Sequence, residues 1–362
     1  MPDPVSDPIQ LETNVPLGPM TTLGIGGPAK YFVRVFDENA LVAALNFAKI
    51  KMLPVFILGG GSNVLVSDEG FEGLVVHILI DRSKGRIAEL ESQKVNGNES
   101  YLIKITAGAG ENWDDVVRFC VTNELAGIEC LSGIPGSVGG TPVQNVGAYG
   151  QEVSETIVAV RCIDTETLTA VELSNSDCGF LYRKSIFNTM ERGRFVVTDV
   201  TFALKHNGEP KVEYKDLIEH FGSRKPTLRE IRDAVLAIRR KKSMVIDPAD
   251  PNSRSAGSFF KNPIISVAKF AELNKTRGGG VPNFRAGDGY VKVPAAWLIE
   301  EAGFAKGYSR GNVAISANHS LAIINRGHAK SKEIVSLKDE IVSAVEARFG
   351  ITLVPEPVFL GF

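Results

Sequence analysis

Residues 254–263 read RSAGSFFKNP, with Ser258 between a glycine and two phenylalanines and with Lys261 and Asn262 just behind it. A serine in such a place can act as a nucleophile, as a proton donor, or as a hydroxyl that closes a turn. A nucleophile needs a general base and an elbow of the form G-x-S-x-G. The stretch lacks that elbow, and no histidine stands near Ser258 in the sequence. The choice is therefore between donor and turn. Two glycine-rich stretches raise a second question: GGGSN (59–63), and IECLSGIPGSVGGTPVQNVGAYG (128–150), which is almost uncharged. Successive glycines let backbone approach a ligand closely, and their amide groups can cradle a phosphate pair. Together the two stretches favour a bound phosphorylated cofactor over a set of plain turns.

A dinucleotide fingerprint is not the vehicle. GIGGPA (24–29) fits G-x-G-x-x-A, but Pro28 interrupts it and the strand-like KYFVRVF follows where a helix is required. No G-x-x-x-x-G-K-[ST] loop is present. The 362 residues carry 40 Lys plus Arg against 42 Asp plus Glu, a net charge of −2. That balance gives no general attraction to nucleic acid or to a membrane surface, so an anionic ligand must be held by a local set of cations. The longest apolar run, LVVHILI (74–80), is far short of the ~20 residues that span a bilayer. The first 18 residues lack the marks of a secretory signal and read as a short disordered tail. Four cysteines without a CxxC pair and five histidines without HExxH point to reduced thiols in a cytoplasmic protein and to no metal site.

The elements that must position these groups are legible in outline. ENALVAALNFAKIK (38–51) has helical spacing after Asp37 as N-cap, with Pro54 as its stop. VFIL (55–58) reads as a buried strand leading into GGGSN. ESQKVNGNES (91–100) reads as an exposed hairpin or loop around an Asn-Gly turn. YLIKITAGAG (101–110) reads as a strand, and 112–127 as a helix capped by Asn112. TIVAVRCID, LTAVEL and RFVVTDVTFAL alternate as strands. Thr227 to Glu230 spells a capping box for a helix whose apolar face is Ile231, Ala234, Val235 and Ile238. The basic run RRKK (239–242) reads as a solvated helix end. Strand-like VAISA and SLAIIN follow a short helix (294–303), and a last helix from Ser331 to Phe349 stops at Gly350. The class is α+β.

LGGGSNVLVSD (58–68), AGAGENWDD (107–115) and GIPGSVGGTPVQNVGAYGQE (133–152) resemble, in this order, the FAD-binding half of the UDP-N-acetylenolpyruvoylglucosamine reductase (MurB) family. The resemblance continues through YRKSIF (182–187), EYKDL (213–217), AGSFFKNP (256–263), VKVPAAWLIE (291–300) and PEPVFLGF (355–362). It implies a two-subdomain FAD-binding fold of the vanillyl-alcohol-oxidase/PCMH type plus a C-terminal α+β substrate-binding domain. The divisions expected are 1–80 completed by the tail 353–362, then 81–240, then 241–352.

The resemblance implies non-covalent FAD, with contacts from Gly59, Gly60, Gly61, Ser62, Asn63, Gly133, Ile134, Pro135, Gly136, Ser137, Gly139, Gly140, Asn145, Gly147, Ala148 and Tyr149. It implies NADPH as co-substrate and UDP-N-acetyl-enolpyruvylglucosamine as substrate, acted on by a cytoplasmic protein expected to be a monomer. Hydride passes from NADPH to flavin N5 and then to C3 of the enolpyruvyl group, and C2 needs a proton. On this reading Arg183 forks the carboxylate, Glu356 polarises the enolate and Ser258 donates the proton, while Phe259 and Phe260 exclude water. Tyr214, Lys242, Asn262, Lys292 and Lys306 fall where the family contacts the uridine diphosphate, and Tyr182 and His319 are further candidates for substrate contact. Tyr214 resembles the type I enzymes.

Two departures stand out. Phe284 occupies a position where a tyrosine is expected, and the loop 247–256 is longer than expected, leaving Arg254 as either a phosphate contact or a solvated side chain. The segment 274–289 reads as a lid. An FAD oxidase of another small substrate, a non-catalytic nucleotide-sugar-binding flavoprotein and a serine hydrolase remain as alternatives.

Overall fold

A computed structural model describes residues 9–83, 88–95 and 98–362 of the chain, which forms two compact units. The first comprises the described residues up to Val15, together with Ala29–Gly61 and Glu72–Lys241; the second comprises Pro16–Pro28, Ser62–Phe71 and Lys242–Phe362.

In the first unit, strands Leu11–Pro16, Pro28–Val35, Phe71–Ile78 and Val55–Leu58 lie side by side in that order, the last two parallel, so 11–16 is a sheet strand where the sequence suggested a disordered tail. KYFVRVF is thus a strand, which removes the helix that a dinucleotide fingerprint would need. Helix Glu38–Lys51 starts as its cap predicts, with Asp37 Oδ1 accepting from the Ala40 N–H at 2.8 Å. It ends at Met52 in the left-handed region (φ 51°), two residues before Pro54.

A second sheet runs antiparallel in the order Ala170–Ser174, Ile157–Asp164, Phe195–His206, Asn98–Gly108, Ala88–Val95. Val95 pairs with Asn98, as the Asn-Gly signal requires of a hairpin; Asn96 and Gly97 lie outside the described residues. Helix Trp113–Thr122 is shorter than the periodicity suggests. The chain turns at Glu124 (φ 55°), and Leu125–Ala126 pairs instead with the end of Phe195–His206. Sheet pairing overrides helical pattern there. Trp113 anchors the core: it is 1% exposed, its ring lies 5.7 Å from that of Phe202, and its Nε1–H donates to Leu131 O at 3.1 Å.

The second unit has its own core, in which Phe259, Phe260, Leu298, Ile323 and Ile341 are buried. Two small antiparallel sheets contribute, one of Ile264–Ser266, Tyr290–Lys292 and Phe284–Arg285, the other of Ser309–Arg310, Val313–Ile315 and Ile323–Asn325. Helix Ser331–Phe349 ends at Gly350 (φ 60°), where glycine takes the left-handed position without steric cost. Its first turn is held by Asp68, whose carboxylate accepts from the Ser331 N–H and hydroxyl, each at 2.9 Å. The tail strand Val358–Leu360 pairs in parallel with Val64–Val66. No helix of the described residues is long and apolar enough to cross a membrane.

Trp113→Ala removes the largest buried side chain of the first unit and strands the Leu131 carbonyl. A loss of about 3–5 kcal/mol follows from cavity formation, read as a lower denaturant midpoint in chemical unfolding.

Candidate functional site

Within the first unit the glycine stretches meet. A side chain at Gly60 would come within 2.7 Å of Gly136 Cα, so the two loops touch backbone to backbone. The 133–150 segment is pinned largely by its own amides. The N–H groups of Gly139 and Gly140 donate to Ala109 O (2.9 Å) and Ser137 O (3.1 Å), and Val138 N–H donates to Glu111 O (2.9 Å). The Gly133 N–H donates to Asp114 Oδ1 at 2.6 Å. Helix Leu228–Lys241 completes this clamp. Arg232 forks Asp114 at 2.6 and 2.7 Å, and Arg239 Nε donates to Gly133 O at 3.1 Å.

Arg239 differs from the sequence expectation of a solvated basic run: it is 6% exposed. Burial pulls its guanidinium below the usual value, and the neighbouring Tyr149 hydroxyl and Asp114 oppose that. A guanidinium is tolerated there because it is hydrogen-bonded and stays protonated. Tyr149 in turn stands edge-on to Tyr214, with centroids 5.3 Å apart. Neither Arg232 nor Asp114 was singled out from the sequence. A charged residue recurring seven places apart beside an apolar helix stripe was the available signal.

Arg183 is held against the same segment. Its Nη2 donates to Gly147 O at 2.6 Å and Nη1 to Asn145 O at 3.3 Å, and its guanidinium lies 5.4 Å from the Tyr182 ring centre. Its backbone is left-handed (φ 55°), as are those of Asn145 (39°) and Tyr149 (50°). Such strain in non-glycine residues gathers at functional sites. The Asn145 side chain is engaged by the protein, donating to Glu152 Oε2 (2.8 Å) and Leu181 O (3.1 Å) and accepting from the Ser154 N–H (3.2 Å).

In the second unit Ser258 and Glu356 occupy adjoining segments. The Phe259 N–H donates to Leu321 O at 2.7 Å, the Glu356 N–H to Phe259 O at 2.9 Å, and the Lys261 N–H to Val354 O at 3.0 Å. Gly257, at φ 72°, makes the turn that presents Ser258. Phe259 and Phe260 are 0% and 2% exposed and belong to the core, so they anchor the serine from beneath. The Val358 N–H donates to Asn63 O at 2.9 Å, which brings Asn63 to the same tail.

The Ser258 hydroxyl lies 3.2 Å from His319 Nε2, a pairing across 61 residues that the sequence did not announce. The contact supplies the histidine that a nucleophile would want. The strand-turn-helix elbow is still absent, since 257–258 is a bend in irregular backbone.

The polar candidates fall in both units. Tyr182, Arg183 and Tyr214 belong to the first, and Lys242, Ser258, Asn262, Lys292, Lys306, His319 and Glu356 to the second. Asn262 Oδ1 accepts from the Ala295 N–H at 2.8 Å and so caps helix Ala295–Glu301. Lys292 pairs with Phe284 across the small sheet and holds its ammonium 6.0 Å from that ring. Lys306 is exposed. The loop 247–256 is knitted by Ser253, whose hydroxyl donates to Asp247 O and Asp250 O, both 2.8 Å away. Arg254 is exposed, and its carbonyl accepts from the Asn325 N–H at 2.9 Å.

Two sequence families match the chain: one described as FAD binding domain, over residues 29–174, and one described as UDP-N-acetylenolpyruvoylglucosamine reductase, C-terminal domain, over residues 248–360. The UDP-N-acetylenolpyruvoylglucosamine reductase of Thermobifida fusca is 45% identical over 358 residues, covering 96% of this chain and 97% of that protein. That of Streptomyces coelicolor is 41% identical, covering 100% and 93%. In fold the chain is similar to the crystal structure of the Thermus caldophilus reductase (MurB), with a TM-score of 0.63 at 24% identity over 98% of this chain and 99% of that one.

The residues present fit an FAD. Gln144 Oε1, in the middle of the glycine segment, is buried without a hydrogen-bond partner, an acceptor that a ligand's donor would complete. Gly140 is exposed, and a side chain there would meet nothing within 4 Å, which leaves bare backbone for a close approach.

Asp114→Asn removes the charge beneath Gly133 while keeping its shape, and should weaken FAD retention about tenfold, the loss of one charge-assisted contact, measured as flavin fluorescence released on dilution. Burial raises the Asp114 carboxyl, but Arg232 and the Gly133 N–H outweigh it and hold it below the ordinary 3.8. The clamp's contribution is thus complete above the ordinary carboxylate range and is lost as pH falls through the depressed value.

Proposed function

Because the chain belongs to the UDP-N-acetylenolpyruvoylglucosamine reductase family, we infer that it reduces the enolpyruvyl ether of UDP-N-acetylglucosamine to the lactyl ether of UDP-N-acetylmuramate, a step of peptidoglycan precursor synthesis. It is an oxidoreductase that uses FAD, with NADPH as co-substrate. The fold is an FAD-binding fold joined to the family's C-terminal domain. FAD, when bound, would supply the hydride chemistry that links NADPH to the substrate.

The chain's own residues do the rest. The Gly59–Gly61 turn and the 133–149 segment would hold the cofactor, with Ser62, Asn63 and Gln144 as polar contacts. The Arg183 guanidinium is oriented by two carbonyls of that segment and binds the substrate carboxylate as charge builds there. Ser258 gives its hydroxyl proton to C2. Glu356 lies on the adjoining segment and polarises the enolate. The observation that carries these two roles is the Glu356 N–H to Phe259 O hydrogen bond, which fixes the serine and the glutamate to neighbouring backbone.

Tyr214, Lys242, Lys292 and Lys306 bind the uridine diphosphate, Tyr214 closing over it from its edge-on position against Tyr149, and Tyr182 is a further substrate contact. Asn262 serves mainly by capping helix Ala295–Glu301. The three-part division 1–80 with 353–362, 81–240 and 241–352 is the working scheme, supported by the parallel pairing of the tail strand on Val64–Val66. A cytoplasmic location follows from the NADPH and the nucleotide-sugar substrate.

Anaerobic absorbance tests the assignment. NADPH should bleach a yellow flavin, and enolpyruvyl-UDP-N-acetylglucosamine alone should return the colour; return only on admitting oxygen would replace the reductase by an oxidase. In Ser258→Ala the bleaching should persist while the return slows by about 10²–10⁴-fold, the usual worth of a positioned proton donor. Normal turnover by that variant would remove Ser258 from the mechanism. Arg183→Lys should lower kcat by about tenfold or more, because a point charge replaces a planar fork, measured as steady-state NADPH oxidation.

A further inference from the structure

We propose that His319 is a positioning residue that orients the Ser258 hydroxyl and refills it with a proton in each turnover, a role that rests on Ser258 being the donor to C2. The Ser258 Oγ to His319 Nε2 distance of 3.2 Å is a hydrogen-bond distance, and with the proton on Nε2 the ring donates to the serine oxygen. A serine that only closes a turn bonds to backbone within a few residues. This one meets a ring 61 residues away.

Both partners are held by their surroundings. The Phe259 N–H bonds Leu321 O, and the Ala322 N–H bonds His319 O at 3.1 Å. Asn318 donates to Ser243 Oγ at 2.8 Å, and Ser320 donates to Glu300. The histidine therefore sits on a pinned turn beside the serine, as a fixed proton route requires.

The chemistry needs such a partner. When C2 takes the hydroxyl proton, a C–H bond forms from the electron pair on the enolate carbon and the serine O–H bond breaks. The resulting alkoxide is a far stronger base than imidazole, so it takes the Nε2 proton, and the ring is reprotonated from solvent. One proton enters from water for each C2–H bond made, and the hydride partner comes from the established reaction.

The test uses His319→Gln, which keeps a hydrogen-bond donor but passes no proton, and His319→Ala with added imidazole. NADPH should bleach the flavin in both variants as in the unmodified chain. Its return with the enolpyruvyl substrate should slow roughly a hundredfold with KM for the sugar nucleotide unchanged, and imidazole should restore part of the rate in His319→Ala and none in Ser258→Ala. Return at the unmodified rate in His319→Gln, or a defect confined to KM, overturns the proposal. Should the unmodified protein itself fail to recover its colour with that substrate, the reductase reading fails instead. A second measurement needs no change at His319. In the ¹⁵N-labelled chain the His319 Nε2 resonance should shift on Ser258→Ala, and an unmoved resonance also overturns the proposal.

Discussion

The arrangement of the second unit depends on a short main-chain seam. Residues 259–261 hydrogen-bond to Leu321 on one side and to Val354 and Glu356 on the other. Buried amides must find partners, and here they do so between segments roughly a hundred, sixty and thirty residues apart in the chain. The seam cannot form unless Phe259 and Phe260 are in the core, and their burial leaves the flanking Ser258 and Lys261 half-buried at its edge. Ser258, His319 and the Glu356 backbone are gathered as a by-product of satisfying that backbone.

The first unit solves a different problem. A glycine-rich segment has little apolar surface to bury and much conformational freedom to lose, so it must be restrained by other means. Asp114, Arg232 and Arg239 provide them, gripping both the N–H and the carbonyl of Gly133. Arg183 and Asn145 do the same further along. The left-handed backbone at Arg183, Asn145 and Tyr149 is strain sustained by those contacts. A segment restrained in this way is ready to meet a cofactor before the cofactor arrives, which lowers the ordering cost of binding.

Local signals were read well where local energies decide. Asp37, Asn112 and the Thr227–Glu230 box cap the helices they were expected to cap, because a side-chain oxygen three residues from an unpaired N–H finds it in almost any tertiary setting. The helix from Trp113 was overextended, because Leu125 and Ala126 gain more from pairing with Phe195–His206 than from another turn. Arg239 was misjudged as solvated, because a basic run at a helix end ordinarily faces water, whereas here the carbonyl of Gly133, 106 residues away, and the Tyr149 hydroxyl make its burial tolerable.

The sequence by itself determined the class, the order of the elements, the glycine loops and, through its resemblance, the family and the residue types that chemistry requires. Those properties reside in contiguous motifs whose spacing survives without coordinates. Tertiary structure alone decided which distant groups became neighbours: His319 at Ser258, the arginine clamp at Gly133, and the Asn262 side chain at the start of helix Ala295–Glu301. The physical reason is that a side chain's partner is chosen by the packing of the whole core, and no local periodicity encodes a hydrogen bond across 61 residues.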